Sequence, residues 1–363
     1  MLPLHDGPIS KERPMLSHNV PGKTPPGAPE FSFLETDMNI LVIGGAGYIG
    51  SSTSKALALA GHNVTVYDNL STGHRDLVKW GPLVEGDVLD SEHLHSCMKK
   101  VRPDGILHFA AFSLVGESVQ NPGKYFRNNV GGTLNILEAM RDTNVRNIVV
   151  SSTAAVYGVP EVMPITEECP AAPINPYGET KLFMEHMLAD FARAHGISWT
   201  ALRYFNAAGC DPEGETGERH RPETHLIPRA LMALDGKISD FHVMGDDYPT
   251  PDGTCIRDYV HVQDLAKAHI SAMERLLSRG DGEGLSLNLG SGSGFSVKEI
   301  LDAIEKVTGL PMPCTMGPRR PGDPPILVAD ASRALDVLGW KPERSGVEDI
   351  IRDAWNWYLK DRA

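Results

Sequence analysis

The sequence has few cysteines, no long apolar run and fewer basic than acidic residues. Its five cysteines are scattered without a Cys-x-x-Cys pair, which argues against a disulfide framework or a cysteine-based zinc site. We therefore expect reduced thiols in a cytoplasmic protein, and we expect no metal site. No apolar run reaches the ~18 residues that a membrane span requires. The net charge of −13, from 34 basic and 47 acidic residues, argues against a broad nucleic-acid surface.

The first 37 residues are rich in proline, glycine and polar residues, and they lack the apolar core of a secretory signal. Their composition predicts a disordered extension over residues 1–37. The remaining chain is well above the ~150 residues of a typical domain, which favours two lobes.

From Met38 onward, short β-rich runs alternate with longer stretches of helical spacing. "NILVIGG", "NVTVYDN", "GILHFAA", "RNIVVSS" and "SWTALRYFN" are such β-rich runs. Regular alternation predicts an α/β fold with a doubly wound parallel sheet. We place a dinucleotide-binding domain at 38–206, with returning segments at about 256–292. A smaller, loop-rich substrate domain is predicted at 207–363, where proline, glycine and acidic residues are dense.

A glycine-rich loop follows the first predicted strand. "VIGGAGYIG" places Gly44, Gly47 and Gly50 at the turn into a helix, where backbone must approach a pyrophosphate closely. Asp68 ends the second predicted strand, eighteen residues after Gly50. A carboxylate there accepts hydrogen bonds from the adenosine ribose and repels a 2′-phosphate, so NAD is preferred over NADP.

Later strand ends supply further candidate cofactor contacts. Residues after these strands face the edge where ligands bind in open α/β sheets. Core packing and turn formation remain competing interpretations for each residue taken singly. The candidates are Asn69, Asp87, Val88, Phe109, Ala110 and Ala111.

The segment "NPYGETK" places Tyr177 four residues before Lys181, so both lie on one face of a helix that Pro176 opens. A nearby cation stabilises phenolate, as does a positive nicotinamide ring, so we expect Lys181 and the cofactor together to lower the pKa of Tyr177. Thr153 offers a hydroxyl at the end of the preceding strand. A hydroxyl, a phenol and an ammonium beside a nicotinamide form a set that removes a proton while hydride leaves the same carbon.

Several motifs together identify a resemblance to a known family. "GGAGYIG", "SSTAAVYG", "PYGETK" and "RYFNAAG" resemble the extended short-chain dehydrogenase/reductase family. "HFAAFSLVGESV", "DDYPTPDGTCIRDYVHVQDLA", "LNLGSG" and "PRRPGDPP" look like its UDP-hexose epimerases, and the resemblance runs from Met38 to the C-terminus. It implies a homodimer with tightly held NAD that inverts C4 of UDP-galactose or UDP-glucose through a 4-keto sugar.

The resemblance also implies roles for particular residues. Tyr177 is the acid and base, Lys181 tunes it and contacts the nicotinamide ribose, and Thr153 bonds the sugar C4 oxygen. Further cofactor contacts are implied for Tyr48, Ile49, Asn128 and Phe205. Diphosphate contacts are implied for Asn206, Arg257 and Arg320, uridine contacts for His225, Leu226 and Asp323, and a sugar-pocket position for Leu327.

Two positions depart from the family pattern. Ser113 stands where some members carry a lysine that contacts the cofactor. Leu327 stands where members vary between tyrosine and smaller residues, and a smaller side chain leaves room for a 2-acetamido group. We therefore hypothesise some tolerance of UDP-GlcNAc beside UDP-glucose.

Three other functions share some of these sequence features. Nucleotide-sugar dehydratases share the glycine loop and the Tyr/Lys pair but carry "TDE" where this chain has Thr153, Ala154 and Ala155, so dehydration is disfavoured. Epimerases of UDP-pentoses or UDP-uronic acids remain open, because the sequence does not define the shape of the pocket. A binding-only NAD protein is disfavoured because Tyr177 and Lys181 are both present.

Overall fold

The computed structural model describes residues 37–280, 282–320 and 323–362, so the predicted extension lies outside the described residues except for its last residue. The described strands, β1 to β14, are Asn39–Ile43, Asn63–Asp68, Leu83–Glu85, Gly105–His108, Asn147–Thr153, Ser198–Tyr204, Asn206–Ala208, His242–Met244, Ile256–Arg257, Tyr259–His261, Gly284–Leu289, Phe295–Ser296, Thr315–Gly317 and Ile326–Leu327. The described helices, α1 to α11, are Tyr48–Leu59, Ser91–Val101, Val115–Gln120, Pro122–Tyr125, Gly132–Thr143, Pro176–His195, Leu226–Leu234, Val262–Arg279, Val297–Thr308, Ser332–Leu338 and Val347–Asp361. A π-helical turn, Phe126–Gly131, joins α4 to α5.

Seven strands form one parallel sheet in the order β11-β6-β5-β4-β1-β2-β3. The predicted doubly wound parallel sheet is therefore confirmed. The strand order reverses between β1 and β4, and the crevice at the carboxyl ends of these strands is where ligands bind in such sheets. The first turn after β1 carries the predicted glycine loop, so this loop lies at the reversal point.

Strand β1 shows why the sheet is buried on both faces. Ile40 and Val42 pack into a core cluster on one face, and Leu41 and Ile43 pack into a cluster on the other. All four side chains are fully buried. Alternating side chains of a strand point to opposite faces, so a continuous apolar run requires helices on both sides.

Helix α6 carries the Tyr/Lys pair and begins at Pro176, as the sequence predicts. The Asn175 side chain accepts a hydrogen bond from the Gly178 amide at 2.9 Å, and Pro176 occupies the first turn. Gly196 ends the helix in the left-handed conformation at φ 67°. Both caps fix the helix register, and with it the positions of the reactive side chains.

A separate core cluster lies between α7, α9 and α11. Ile227, Ile300, Ile351 and Trp357 are buried members of this cluster. Within the described part of the chain, none of the helices combines the length and apolar character needed to cross a membrane.

Candidate active site

The glycine loop is a backbone cradle at the end of β1. Gly44 has φ +83°, and a Cβ there would lie 2.5 Å from the backbone nitrogen of Ala110. A Cβ on Gly50 would lie 2.2 Å from the carbonyl oxygen of Gly44. At Gly47, by contrast, the nearest neighbour of a Cβ would be the Gly44 oxygen at 3.4 Å. Gly44 and Gly50 are thus required by the fold, while Gly47 leaves room for a ligand at the N-terminus of α1.

Asp68 supports this loop directly. Its carboxylate accepts a hydrogen bond from the Ala46 amide at 2.9 Å and another from the Leu70 amide at 2.8 Å. Burial raises the pKa of this carboxyl group, and the two amide hydrogen bonds oppose that shift. Asp68 therefore links the end of β2 to the glycine loop, at the position where the sequence predicts a contact to an adenosine ribose.

The other predicted cofactor residues line the same edge of the sheet. Asn69 donates to the Asp87 carboxylate at 2.9 Å, and Val88 is buried against Gly132. The Phe109 and Ala110 amides donate to the Ile43 carbonyl at 2.8 and 3.2 Å, which ties the end of β4 to the glycine loop. The half-buried members of the set are Ile49, Asp87, Phe109, Ala110, Ala111, Asn128 and Phe205.

The structure brings Thr153, Tyr177 and Lys181 together where α6 crosses the end of β5. Tyr177 is half-buried and shares a hydrogen bond with the buried Thr153 hydroxyl. The Lys181 ammonium is buried and donates to the Ser151 carbonyl at 2.7 Å. A phenol, a hydroxyl and an amine therefore converge beside the crevice that the glycine loop borders.

Among the protein's own groups, burial outweighs any lowering of the Tyr177 pKa. Burial raises the pKa of the Tyr177 phenol, and the hydrogen bond with Thr153 lowers it by less. Burial also lowers the pKa of Lys181 to about 7, against the attraction of the Glu185 carboxylate. Burial destabilises the charged form of Lys181, and its ammonium donates to the Ser151 carbonyl. It therefore does not offset the rise that burial causes in the pKa of the phenol.

Sequence reasoning missed a buried network behind this site. Arg203 donates to Glu185 at 3.0 and 2.5 Å, and the Ser152 hydroxyl donates to Glu185 at 2.5 Å. Arg203 also donates to the Tyr157 hydroxyl at 2.9 Å. This network fixes α6 on β5 and β6 one turn beyond Lys181. The sequence does place Glu185 four residues after Lys181, but this spacing alone indicates an ordinary ion pair on the surface of a helix.

Three of the predicted substrate residues, Arg257, Asp323 and Leu327, lie together at a small sheet that contains two of them. Leu327 in β14 pairs in register with Arg257 in β9, and the Arg257 guanidinium forms an ion pair with Asp323. The side chains of Arg257 and Asp323 are 12% and 23% exposed, so this is a shielded pair rather than surface charge. Leu327 packs in the same apolar cluster as Phe205 and Tyr157, which links the set to the end of β6.

The remaining substrate candidates are more spread out. Asn206 in β7 donates through its side chain to the Asp258 carbonyl at 3.0 Å. Leu226 begins α7, and His225 precedes it with its ring against two glutamates. Arg320 is exposed, and its carbonyl accepts from the Asp323 amide at 3.2 Å. Arg320 therefore joins the Arg257 group only through its backbone.

A doubly wound sheet with a glycine cradle and a Thr/Tyr/Lys set at its carboxyl edge defines a dinucleotide-dependent enzyme of the short-chain dehydrogenase type. More narrowly, the chain belongs to the NAD dependent epimerase/dehydratase family, whose sequence profile matches residues 40–290.

Comparison with known proteins narrows the relationship further. The chain is 51% identical over 322 residues to UDP-glucose 4-epimerase of Lacticaseibacillus casei, covering 88% of this chain and 97% of the relative. The crystal structure of UDP-glucose 4-epimerase from Brucella ovis in complex with NAD superposes with a TM-score of 0.86 at 54% identity, covering 88% of this chain and 98% of that one. The UDP-Glc/GlcNAc 4-epimerase of Campylobacter jejuni matches with a TM-score of 0.78 at 39% identity, covering 88% and 99%.

Proposed function

We propose that this enzyme uses NAD to invert C4 of a UDP-hexose and so interconverts UDP-galactose and UDP-glucose. The observation that carries the proposal is the convergence of Thr153, Tyr177 and Lys181 at the sheet edge beside the glycine cradle. The relatives at about half identity, which are UDP-glucose 4-epimerases over nearly their whole length, support the same reaction.

The cofactor fits the residues present. Gly47 leaves room for a pyrophosphate at the start of α1, and the Asp68 carboxylate faces the same loop. Tyr48, Ile49, Asn69, Asp87, Val88, Phe109, Ala110, Ala111, Asn128 and Phe205 would complete the cofactor shell. When bound, NAD supplies a reversible hydride acceptor at the site where the sugar C4 lies.

Tyr177 supplies the proton chemistry. Ionised beside the positive nicotinamide ring that bound NAD would supply, its phenolate oxygen removes the proton of the C4 hydroxyl, which leaves a 4-keto sugar once the C4 hydrogen has gone as hydride. Thr153 donates a hydrogen bond to the C4 oxygen and keeps it within reach of Tyr177. After the sugar presents its other face, the hydride would return to C4 on that face while Tyr177 returns the proton to the C4 oxygen, and the product has inverted stereochemistry.

The charges of the chain suit the UDP portion of the substrate. A diphosphate in a closed site needs paired cations, because an unpaired dianion is costly to bury. We assign Arg257, Arg320 and Asn206 to the diphosphate, and His225, Leu226 and Asp323 to the uridine. In a chain of net charge −13, a shielded arginine beside the site is a feature that anion binding explains.

A second candidate substrate rests on Leu327. This side chain packs in the same apolar cluster as Phe205. A leucine is smaller than the tyrosine that some family members carry there, so it would leave room for a 2-acetamido group. We propose that UDP-GlcNAc is also turned over. UDP-pentoses and UDP-uronic acids are the further alternatives that a substrate panel distinguishes.

The test is interconversion of UDP-galactose and UDP-glucose by purified enzyme without added NAD. Tyr177→Phe should lower kcat by about 10² to 10⁴, the usual contribution of a general acid and base. Tyr358→Phe is the matched control, because the Tyr358 hydroxyl in α11 donates to Asp235, which follows α7, and contacts none of Thr153, Tyr177 and Lys181. Full activity of Tyr177→Phe would refute the assignment.

We also propose that the protein is a cytoplasmic homodimer. Phe126, Leu134 and Phe183 expose 37%, 39% and 46% of their surface on neighbouring helical segments of the nucleotide domain. Such an apolar surface favours association. Light scattering should give a dimer for the native chain, and Phe183→Glu should shift it toward a monomer.

The proposed domain division keeps 38–206 as the nucleotide domain and 207–363 as the substrate domain. Strand β11 forms one edge of the seven-stranded sheet, and α8 packs against α1, which supports a return of the chain at about 256–292. Limited proteolysis tests the division, since the first cleavages should fall in loops after Asn206.

A further inference from the structure

Two glutamates and two histidines converge in the loop that precedes α7. The donor atoms of Glu218, His220, Glu223 and His225 all lie within 4.8 Å of one another. The carboxylates are shielded, with side chains 7% and 8% exposed, while the histidine side chains are 29% and 44% exposed. The spacing is Glu-x-His-x-x-Glu-x-His, so one short loop supplies all four groups.

The distances between histidine nitrogens and glutamate oxygens are close to those between neighbouring donor atoms around a tetrahedral metal ion. His225 Nδ1 lies 2.8 Å from an oxygen of Glu218 and 2.8 Å from an oxygen of Glu223. His220 Nδ1 lies 3.1 Å from Glu218 and 3.7 Å from Glu223. Zinc bonds of ~2.0–2.1 Å in tetrahedral geometry place neighbouring donor atoms about 3.3 Å apart. The distances of 2.8, 2.8 and 3.1 Å join one oxygen of each glutamate to the histidines and lie near that value, while the 3.7 Å distance from His220 is measured to the second oxygen of Glu223.

Hydrogen bonding alone accounts poorly for this arrangement. An imidazole Nδ1 carries at most one hydrogen, yet His225 Nδ1 faces two carboxylate oxygens at equal distance. One of these contacts must therefore be made without a well-directed hydrogen. A dication at the centre would instead accept a lone pair from each of the four groups.

A second acidic cluster shows the contrasting case. Asp211, Glu213 and Glu215 surround the Lys55 ammonium at 2.9, 2.5 and 2.7 Å. An ammonium carries three hydrogens, so each of the three carboxylates receives one. That cluster already contains its cation and needs no metal.

We propose that Glu218, His220, Glu223 and His225 bind a divalent transition metal ion, Zn²⁺ by the preference of a mixed imidazole and carboxylate set. The Thr224 and His225 amides each donate to Glu223 at 2.8 Å, which orients that carboxylate as outer-shell partners orient metal ligands. The sequence interpretation expected no metal, because it considered only cysteine patterns.

The position of the cluster assigns the ion a structural role. The His220 ring meets Tyr48, the first residue of α1, edge to face with ring centroids 6.3 Å apart. His225 directly precedes α7, whose first residue is Leu226, and binding the ion through Nδ1 leaves its Nε2 for the uridine contact proposed above. An ion here would hold the loop between α1, which starts at the glycine loop, and α7, which begins with Leu226 in the proposed uridine segment.

The experiment measures metal directly on the full chain, purified without a metal-affinity step. Elemental analysis should find about one zinc per chain after ZnCl₂ is added and the excess removed. Chelation should lower the thermal midpoint, and ZnCl₂ should restore it. Co²⁺ in place of zinc should give the intense visible absorption of a four-coordinate site. His220→Gln should bind zinc at least about tenfold more weakly, the smallest loss expected when the ligand sphere is disturbed.

Glu213→Gln is the matched control, because it removes a carboxylate from the Lys55 cluster and should keep one zinc per chain. Native protein that retains no zinc would overturn the proposal, as would zinc binding that His220→Gln and Glu223→Gln leave unchanged. Far-ultraviolet circular dichroism checks that each variant folds. If a variant does not fold, the Co²⁺ spectrum of the native chain decides, and octahedral Co²⁺ absorption would count against the site.

Discussion

The Lys181 ammonium nitrogen lies 2.7 Å from the backbone carbonyl oxygen of Ser151 and donates a hydrogen bond to it. This contact joins α6 to β5 one turn beyond Tyr177 and two residues before Thr153. The same side chain therefore places the phenol beside the hydroxyl and holds the only charge within the set. Because burial brings its pKa to about 7, that charge is readily lost near neutral pH.

We expect Lys181→Met to lower kcat by about 10²-fold, since an oriented charge beside developing negative charge contributes on that scale. The chain should still fold, because methionine fills the same space without an uncompensated ammonium. The measurement is steady-state interconversion of UDP-galactose and UDP-glucose across pH 6 to 9. Lys298→Met, which removes an exposed lysine paired with Asp302, is the control. An unchanged kcat and pH profile would mean that Lys181 only holds α6 against β5.

Arg257 is expected to act on binding rather than on chemistry. Arg257→Gln should raise KM for the UDP-sugar and the inhibition constant of UDP by about 10- to 100-fold, because hydrogen bonds to charged groups contribute roughly 1.5–3 kcal/mol. The kcat should change little, since the diphosphate is held equally in ground and transition states. Initial rates with UDP as inhibitor separate these constants.

The control for this prediction is Arg352→Gln, which breaks an exposed pair with Asp349 in α11. Asp323→Asn provides a second comparison, because it removes the partner that Arg257 contacts in the structure. An Arg257→Gln enzyme with unchanged affinity for UDP would show that the ion pair with Asp323 is purely structural.

The elements that sequence predicted well are those whose geometry is local. The glycine cradle and the Tyr177/Lys181 pair each lie within one turn or one helix, so spacing along the chain fixes their positions. The Glu185–Arg203 pair joins a helix to a later strand, and no periodicity marks it. The pKa of Tyr177 depends on how much of the phenol is buried, which spacing does not encode.

Leu327 should control which sugars are accepted. Leu327→Tyr places a larger side chain in the Phe205 cluster, so we expect it to lower kcat/KM for UDP-GlcNAc by about tenfold or more. Activity on UDP-glucose should fall less, because that sugar has no 2-acetamido group to accommodate. The ratio of kcat/KM for the two substrates is the measurement. Native enzyme without activity on UDP-GlcNAc would contradict the hypothesis at the outset.

His269 should make the protein less stable in mild acid. The ring is fully buried, packs 4.7 Å from the Phe109 ring, and binds the Leu265 carbonyl at 2.8 Å through Nδ1. Burial lowers its pKa to about 4, against the hydrogen bond to Leu265, which raises it. The unfolded chain takes up a proton near pH 6.5, so between about 6.5 and 4 the unfolded state binds more protons than the folded state.

The contribution of His269 to the free energy of unfolding is therefore complete above pH 6.5 and is lost on acidification toward pH 4. The loss is at most about 1.4 kcal/mol per pH unit. His269→Phe has no group to titrate, so its stability should fall less between pH 7 and 5, by about 2 kcal/mol at most. Urea unfolding at both pH values measures this difference, with His186→Gln on the exposed face of α6 as control. Equal losses in the native chain and His269→Phe would show that the ring is protonated in the folded state, because only then would its titration leave stability unchanged.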